Sequence, residues 1–285
     1  MDNPLLNYMR QPKIYIRLPS NGKYWPEGSI EIPENGEFPV FSMTAKDEIT
    51  LKTPDALLNG QAVVDIIQSC FPSIKNAWHT PNIDIDTLLV ALRIASYGEM
   101  MEISHIVPGT KEEVNHTIDL RLILDQLSSA GNWQENILVN EDMQISVRPL
   151  TYKHVSENSA KTFEAQRLIQ LISDGEIVDD RKEELLNLSV NNLATIAFNV
   201  VADSITMIKT HDVEVTDKDF IREFLQNADK EIYNKVEQHL IQMKELIGIK
   251  PLDFNSSPEH IEQGAPESYT MPLNMDQSSF FVHGS

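Results

Sequence analysis

The chain has 285 residues, with 43 Asp and Glu against 23 Lys and Arg, a formal net charge of −20 at pH 7. A surface of that sign repels phosphate backbones and anionic lipid, so nucleic-acid binding and membrane association are both disfavoured. Plain solubility and a basic protein partner each explain the charge. The hydrophobic fraction of 41% supports a packed core. The single cysteine, Cys70, excludes an internal disulfide and a cysteine-based zinc site.

The opening MDNPLLNYMR lacks a signal-peptide pattern, and no uninterrupted run of eighteen apolar residues occurs. The expectation is a protein kept in a cytoplasm with nothing spanning a bilayer. Residues 12–18 alternate as a strand, and Asn21-Gly22 marks the turn after it. Short strands are expected over 29–33 and 37–43. Thr44 and Asp47 have capping-box spacing, and Thr53-Pro54-Asp55 starts a short helix to about Leu58. A further helix is expected over Gln61–Ser69, placing Cys70 at its end against the core.

Residues 84–97 carry the clearest helical stripe of this half, with Asp84 or Asp86 read as its cap and Gly98 as its stop. Strands over 100–107 and 114–120 flank the loop PGTKEE, and 120–127 reads equally as helix or strand. Segments 137–139 and 143–148 complete a small antiparallel sheet. Three long helical patterns come next, over 151–173, 180–209 and from Thr216 to Gly248.

The reading is therefore an α+β fold. A small antiparallel sheet with short helices occupies residues 1–150, a three-helix region 151–250, and an extended C-terminal arm 251–285. The change at 150 marks either a domain boundary or a layer within one domain.

The sequence has no P-loop, no Gly-x-Gly-x-x-Gly, no His-Glu-x-x-His, no Gly-x-Ser-x-Gly and no EF-hand spacing. No enzyme, cofactor, metal or small-molecule substrate is expected. If an unrecognised site exists, His105, His116 and Asp119 are where it would lie, the two histidines facing across a hairpin. The residues singled out as partner contacts are aromatic or apolar. Tyr24 and Trp25 lie in the loop NGKYWPEG, where they either anchor an interface or fold over the small sheet. Tyr269, Met271, Phe280 and Phe281 belong to the arm, which docks either on a partner or on its own domain.

Three blocks, RLPSNGKYWPEG, TAKDEITLKTPDALLNGQAVVDIIQSC and DIDTLLVALRIASYG, resemble in order and spacing the baseplate hub assembly family of T4-type contractile-tailed bacteriophages. Pro149-Leu150-Thr151-Tyr152 is similar as well. The resemblance implies a non-catalytic protein whose partners are other phage tail or baseplate proteins. It would act in the host cytoplasm during assembly or be retained in the virion. Where members of the family carry a Cys-Pro-x-Cys element, this chain has Val107-Pro108-Gly109, so any zinc site built on those cysteines is lost. An acidic chaperone or adaptor for another partner is the alternative.

Overall fold

The structure is a computed structural model, described over residues 9–51, 60–173 and 182–273. Strand β1 (Pro12–Ile16) pairs antiparallel with β2 (Phe38–Phe41). The stretch expected as a strand at 29–33 contributes only an isolated bridge, Ile30 to Ile74. Pro33 lacks the amide a ladder needs, and its carbonyl turns the chain by accepting from Gly36 N–H. Helix α1 (Ala45–Leu51) begins as its cap foretells: Thr44 N–H donates to Asp47 Oδ2 at 2.7 Å and Asp47 N–H to Thr44 Oγ1 at 3.2 Å. The helix expected at Pro54–Leu58 lies outside the described residues.

Helix α2 (Gln61–Cys70) enters from Gly60, whose φ of +76° suits glycine. A Cβ there would collide with Ser156 Oγ. Helix α3 (Asn82–Tyr97) is buried along most of its length, and Gly98, at φ +93°, ends it. Strands β3 (Met100–Ile106) and β4 (Glu113–Asp119) form a ribbon in continuous register, and α4 (Leu120–Ser128) resolves the ambiguous segment as helix. Asp119 decides it by accepting from Arg121 N–H as the N-cap. Leu88, Leu92, Leu120, Leu127, Ile66, Ile67, Phe38 and Val40 meet in the first core, each contributing about 1.5–3 kcal/mol of burial.

The segment Pro149–Tyr152 joins this core to the long helices. Leu150 O accepts from Asn82 N–H at 2.8 Å, Tyr152 N–H donates to Thr80 O at 2.7 Å, and the Tyr152 ring stacks on Trp78 at 5.8 Å. Helix α5 (Tyr152–Ser173) starts there and runs beside α6 (Lys182–Ser204).

The helix expected over 180–209 stops at Ser204. Ile205–Thr210 is strand β7, lying between β6 (Met143–Val147) and β8 (Glu214–Val215) in a four-stranded sheet whose outer strand is β5 (Asn136–Asn140). Ile205, Thr206 and Ile208 are β-branched and suit a strand. The switch is held by Arg148 N–H donating to Ser204 O at 2.9 Å and by Lys218 Nζ, which donates to the carbonyls of Asp203 and Ile205. This sheet takes strands from both sides of residue 150.

The third helical pattern divides into α7 (Lys218–Asn227) and α8 (Lys230–Ile247), parted at Ala228-Asp229. Both pack on the sheet around Ile145, Ile205, Ile208, Ile221, Leu225 and Val236, the second core. The proline-rich C-terminal stretch forms β9 (Leu252–Asn255), a short helix α9 (Pro258–Glu262) and β10 (Ser268–Met271), which pairs antiparallel with β9.

Among the described residues, α6 is long and apolar enough to cross a membrane by length and composition. Asn187, Ser189, Asn191 and Asn192 interrupt its apolar residues without adding charge, so it contains no long unbroken apolar run. Its end, through Val201 and Ala202, belongs to the second core.

Candidate functional site

Asp84 organises the loop that carries Tyr24 and Trp25. Its side chain is fully buried, accepting from Ser20 N–H at 2.8 Å, from Ser20 Oγ–H at 2.5 Å and from the indole Nε1–H of Trp25 at 2.9 Å. Reading Asp84 as the helix cap is thus corrected. Pro81 occupies the cap position, and the carboxylate turns inward because three donors from the loop outweigh the free amides of the helix end. Burial pushes its carboxyl up to about 6, against the opposing pull of the hydrogen bonds from Ser20 and Trp25.

The loop turns sharply between these bonds. Asn21 and Tyr24 have φ of +51° and +73°, and Gly22 has +79°. A left-handed tyrosine costs on the order of 1–3 kcal/mol. Tyr24 offsets this by donating its hydroxyl to Glu135 Oε1 at 2.7 Å, while Lys23 forms an ion pair with the same carboxylate. Burial, and then Glu135, raises the Tyr24 phenol above its ordinary value. The loop therefore reaches from α3 in the first core to the approach of β5 in the second. Both aromatic rings are half-buried, leaving each an outer edge.

Tyr269 stands in a different place. Its hydroxyl lies 2.8 Å from His105 Nε2, where the C-terminal hairpin covers the β3–β4 ribbon. The His105 and His116 rings stack at 5.3 Å, and Phe254 lies 4.5 Å from His116 and 5.1 Å from His105. At the loop end of the ribbon, Glu112 Oε1 accepts from Gln263 Nε2 at 2.8 Å, and Glu112 Oε2 lies 2.8 Å from His260 Nε2. Gly109, φ +82°, meets Gly264 so closely that a Cβ would stand 2.5 Å from the Gly264 carbonyl oxygen. Met271 pairs with Leu252 in the hairpin and is half-buried, whereas Phe280 and Phe281 lie outside the described residues.

His105, His116 and Asp119 do not converge. Asp119 turns to Arg121 at 3.0 Å, and the histidine rings contact Phe254 and Tyr269. Among the described residues no group of three or more His, Cys, Asp or Glu could hold a metal ion.

Sequence reasoning missed a cleft of about 810 Å³ between α3, α5, α6 and α8, walled by Leu89, Val155, Phe163, Ile196, Val200 and Leu240. Its signal was present as apolar side chains on α5 and α6 in excess of what one neighbour covers, but which faces would stay open depends on how the helices cross. Asp86 lies on its wall, near Lys244 and the Ile249 amide. Burial raises the Asp86 carboxyl, against the pull of Lys244 and the Ile249 amide.

The family model described as T4 bacteriophage base plate protein matches residues 13–251. The chain belongs to that family. No curated protein and no solved structure matches it. The match takes in the Asp84 node, the β3–β4 ribbon and the cleft walls, and stops just before β9. Its most developed features are an open apolar cleft, an aromatic loop tied to both cores and a hairpin clasped to a ribbon.

Proposed function

We propose that this chain is a non-catalytic interaction protein of the hub of a contractile phage tail, either a component of the hub or a factor in its assembly. The carrying observation is the family match across residues 13–251. The reading is supported by apolar surface left open on long helices: Phe163, Leu188 and Val190 are each more than half exposed. Tyr24, Trp25, Tyr269 and Met271, with Phe280 and Phe281 beyond the described residues, are the proposed contacts with neighbouring tail proteins. It acts in the host cytoplasm while tails are being built.

The test is an affinity pull-down of the full chain from infected cells, with co-purifying subunits identified by mass. Hub proteins should be enriched, and a chain shortened after Leu273, lacking Phe280 and Phe281, should recover fewer of them. Recovery with unrelated host proteins instead would turn the reading to the acidic chaperone or adaptor. Mass analysis of finished tails separates a component, which stays, from an assembly factor, which leaves.

A further inference from the structure

We propose that the C-terminal hairpin, Leu252–Met271, is a proton-sensitive clasp whose seat on the β3–β4 ribbon loosens when His105 takes up a proton, while the two cores stay folded. The seat is built on imidazole. The His105 Nε2 atom meets Tyr269 OH at 2.8 Å, and the ring lies between His116, Phe254 and Tyr269. The other ring nitrogen, Nδ1, is sealed from solvent without a hydrogen-bond partner. In the neutral ring Nδ1 can be a bare lone pair, with Nε2–H donating to Tyr269. Protonation puts an N–H and half a positive charge there with nothing to accept it, the costly form of a buried polar group.

The groups facing His105 offer no relief. They are His116 from β4, which adds a like charge when protonated, and Phe254 and Tyr269 from the hairpin. Among the described residues no carboxylate pairs with either His105 or His116. Burial, and then the His116 charge, accordingly lowers the proton affinity of His105. The seated hairpin thus holds fewer protons than the released one as pH falls below the free imidazole value of about 6.5, so acid favours release.

One contact opposes this. His260 Nε2 lies 2.8 Å from the Glu112 carboxylate, but Glu112 is exposed and the pair is screened by solvent. The sealed His105 end therefore decides the sign. The clasp belongs to the chain itself and does not depend on the hub reading.

The experiment is hydrogen exchange of the full chain read by mass at pH 7.5 and 5.5, corrected for the intrinsic pH dependence of exchange. Peptides from Leu252 to Leu273 are compared with peptides from α3. Hairpin protection should fall about three- to tenfold, the range open to a single linked proton, with α3 unchanged. His105→Phe keeps an aromatic ring that takes no proton and should remove the loss of hairpin protection at pH 5.5. His260→Gln removes the opposing contact and should keep or steepen it. A flat wild-type profile overturns the proposal, as does an unchanged slope in H105F or a slope abolished by H260Q. If H105F leaves the hairpin released at both pH values, H260Q still decides.

Discussion

The indole Nε1–H of Trp25 donates to Asp84 Oδ2 at 2.9 Å across 59 positions of sequence, at the edge of the first core. The same carboxylate holds Ser20 through two further bonds. One side chain on α3 thereby sets the path of the loop from Leu18 to Pro26.

Replacing Asp84 by Ala should cost about 3 kcal/mol, because Ser20 N–H, Ser20 Oγ–H and Trp25 Nε1–H are left without acceptors. Asn is a partial substitute. Its oxygen can serve Ser20 N–H, but its amide then points a donor at Trp25 Nε1–H. Urea unfolding monitored by tryptophan fluorescence measures both variants, and equal stability of D84A and wild type would refute the staple.

The Asp84 carboxyl rises from 3.8 unfolded to about 6 folded, so between these values the folded state holds more protons. Its contribution is fully present below pH 3.8 and is lost as pH rises through about 6. The span corresponds to roughly 3 kcal/mol. Asp84→Asn does not titrate, so the unfolding free energy of wild type relative to this variant should fall by most of that span between pH 4 and 7. Parallel curves would show that the carboxyl is not raised.

Gly109→Ala places a methyl against the Gly264 carbonyl and strains a φ of +82°, whereas Gly28→Ala strains a φ of +76° with nothing within 4 Å. The second substitution should cost about 1 kcal/mol. The first should cost more and loosen the hairpin selectively. Hydrogen exchange of residues 252–273 in the two variants separates strain alone from strain with collision.

Ile205→Ala should destabilise by about 2–5 kcal/mol, since the side chain is wholly enclosed in the second core at the helix-to-strand switch. Leu138→Ala, on the same sheet but 73% exposed, should change stability by about 0.5 kcal/mol or less. Thermal unfolding of the pair tests whether β7 and its neighbours form one core.

Cys70 is buried at the end of α2, and burial pushes its thiol up to about 11 from 9. Near pH 8 the native chain should hold about a hundredfold less thiolate than a free cysteine, so labelling by a disulfide reagent should be slow until urea opens the core. Rapid labelling of the native protein would place Cys70 at the surface.

Helix α3, the β3–β4 ribbon and the Thr44–Asp47 cap were legible because each is written in a local period or spacing that no distant contact overrides. The end of α6 was not. Ile205 to Ile208 continues the apolar helical pattern, and only the pairing of Ser146 with Met207 and Val147 with Ile205 makes the strand the better solution. The candidate contacts were legible as residue types, but not as a site. Trp25 and Tyr269 are both ordinary aromatics in loop-rich stretches until Asp84 and His105 are placed against them.

Residue types and short spacings were enough to settle the acidic charge, the lack of known catalytic motifs and the apolar stripes, and to suggest a likeness that the match over residues 13–251 bears out at the level of the base plate family. Three-dimensional packing was needed to turn Asp84 inward, to make a strand of the pattern after Ser204, and to return the proline-rich tail as a hairpin on β3–β4. Each of those outcomes turns on hydrogen-bond partners far away in sequence, 64 positions for Ser20 and Asp84 and 164 for His105 and Tyr269, and a local pattern carries no information about such partners.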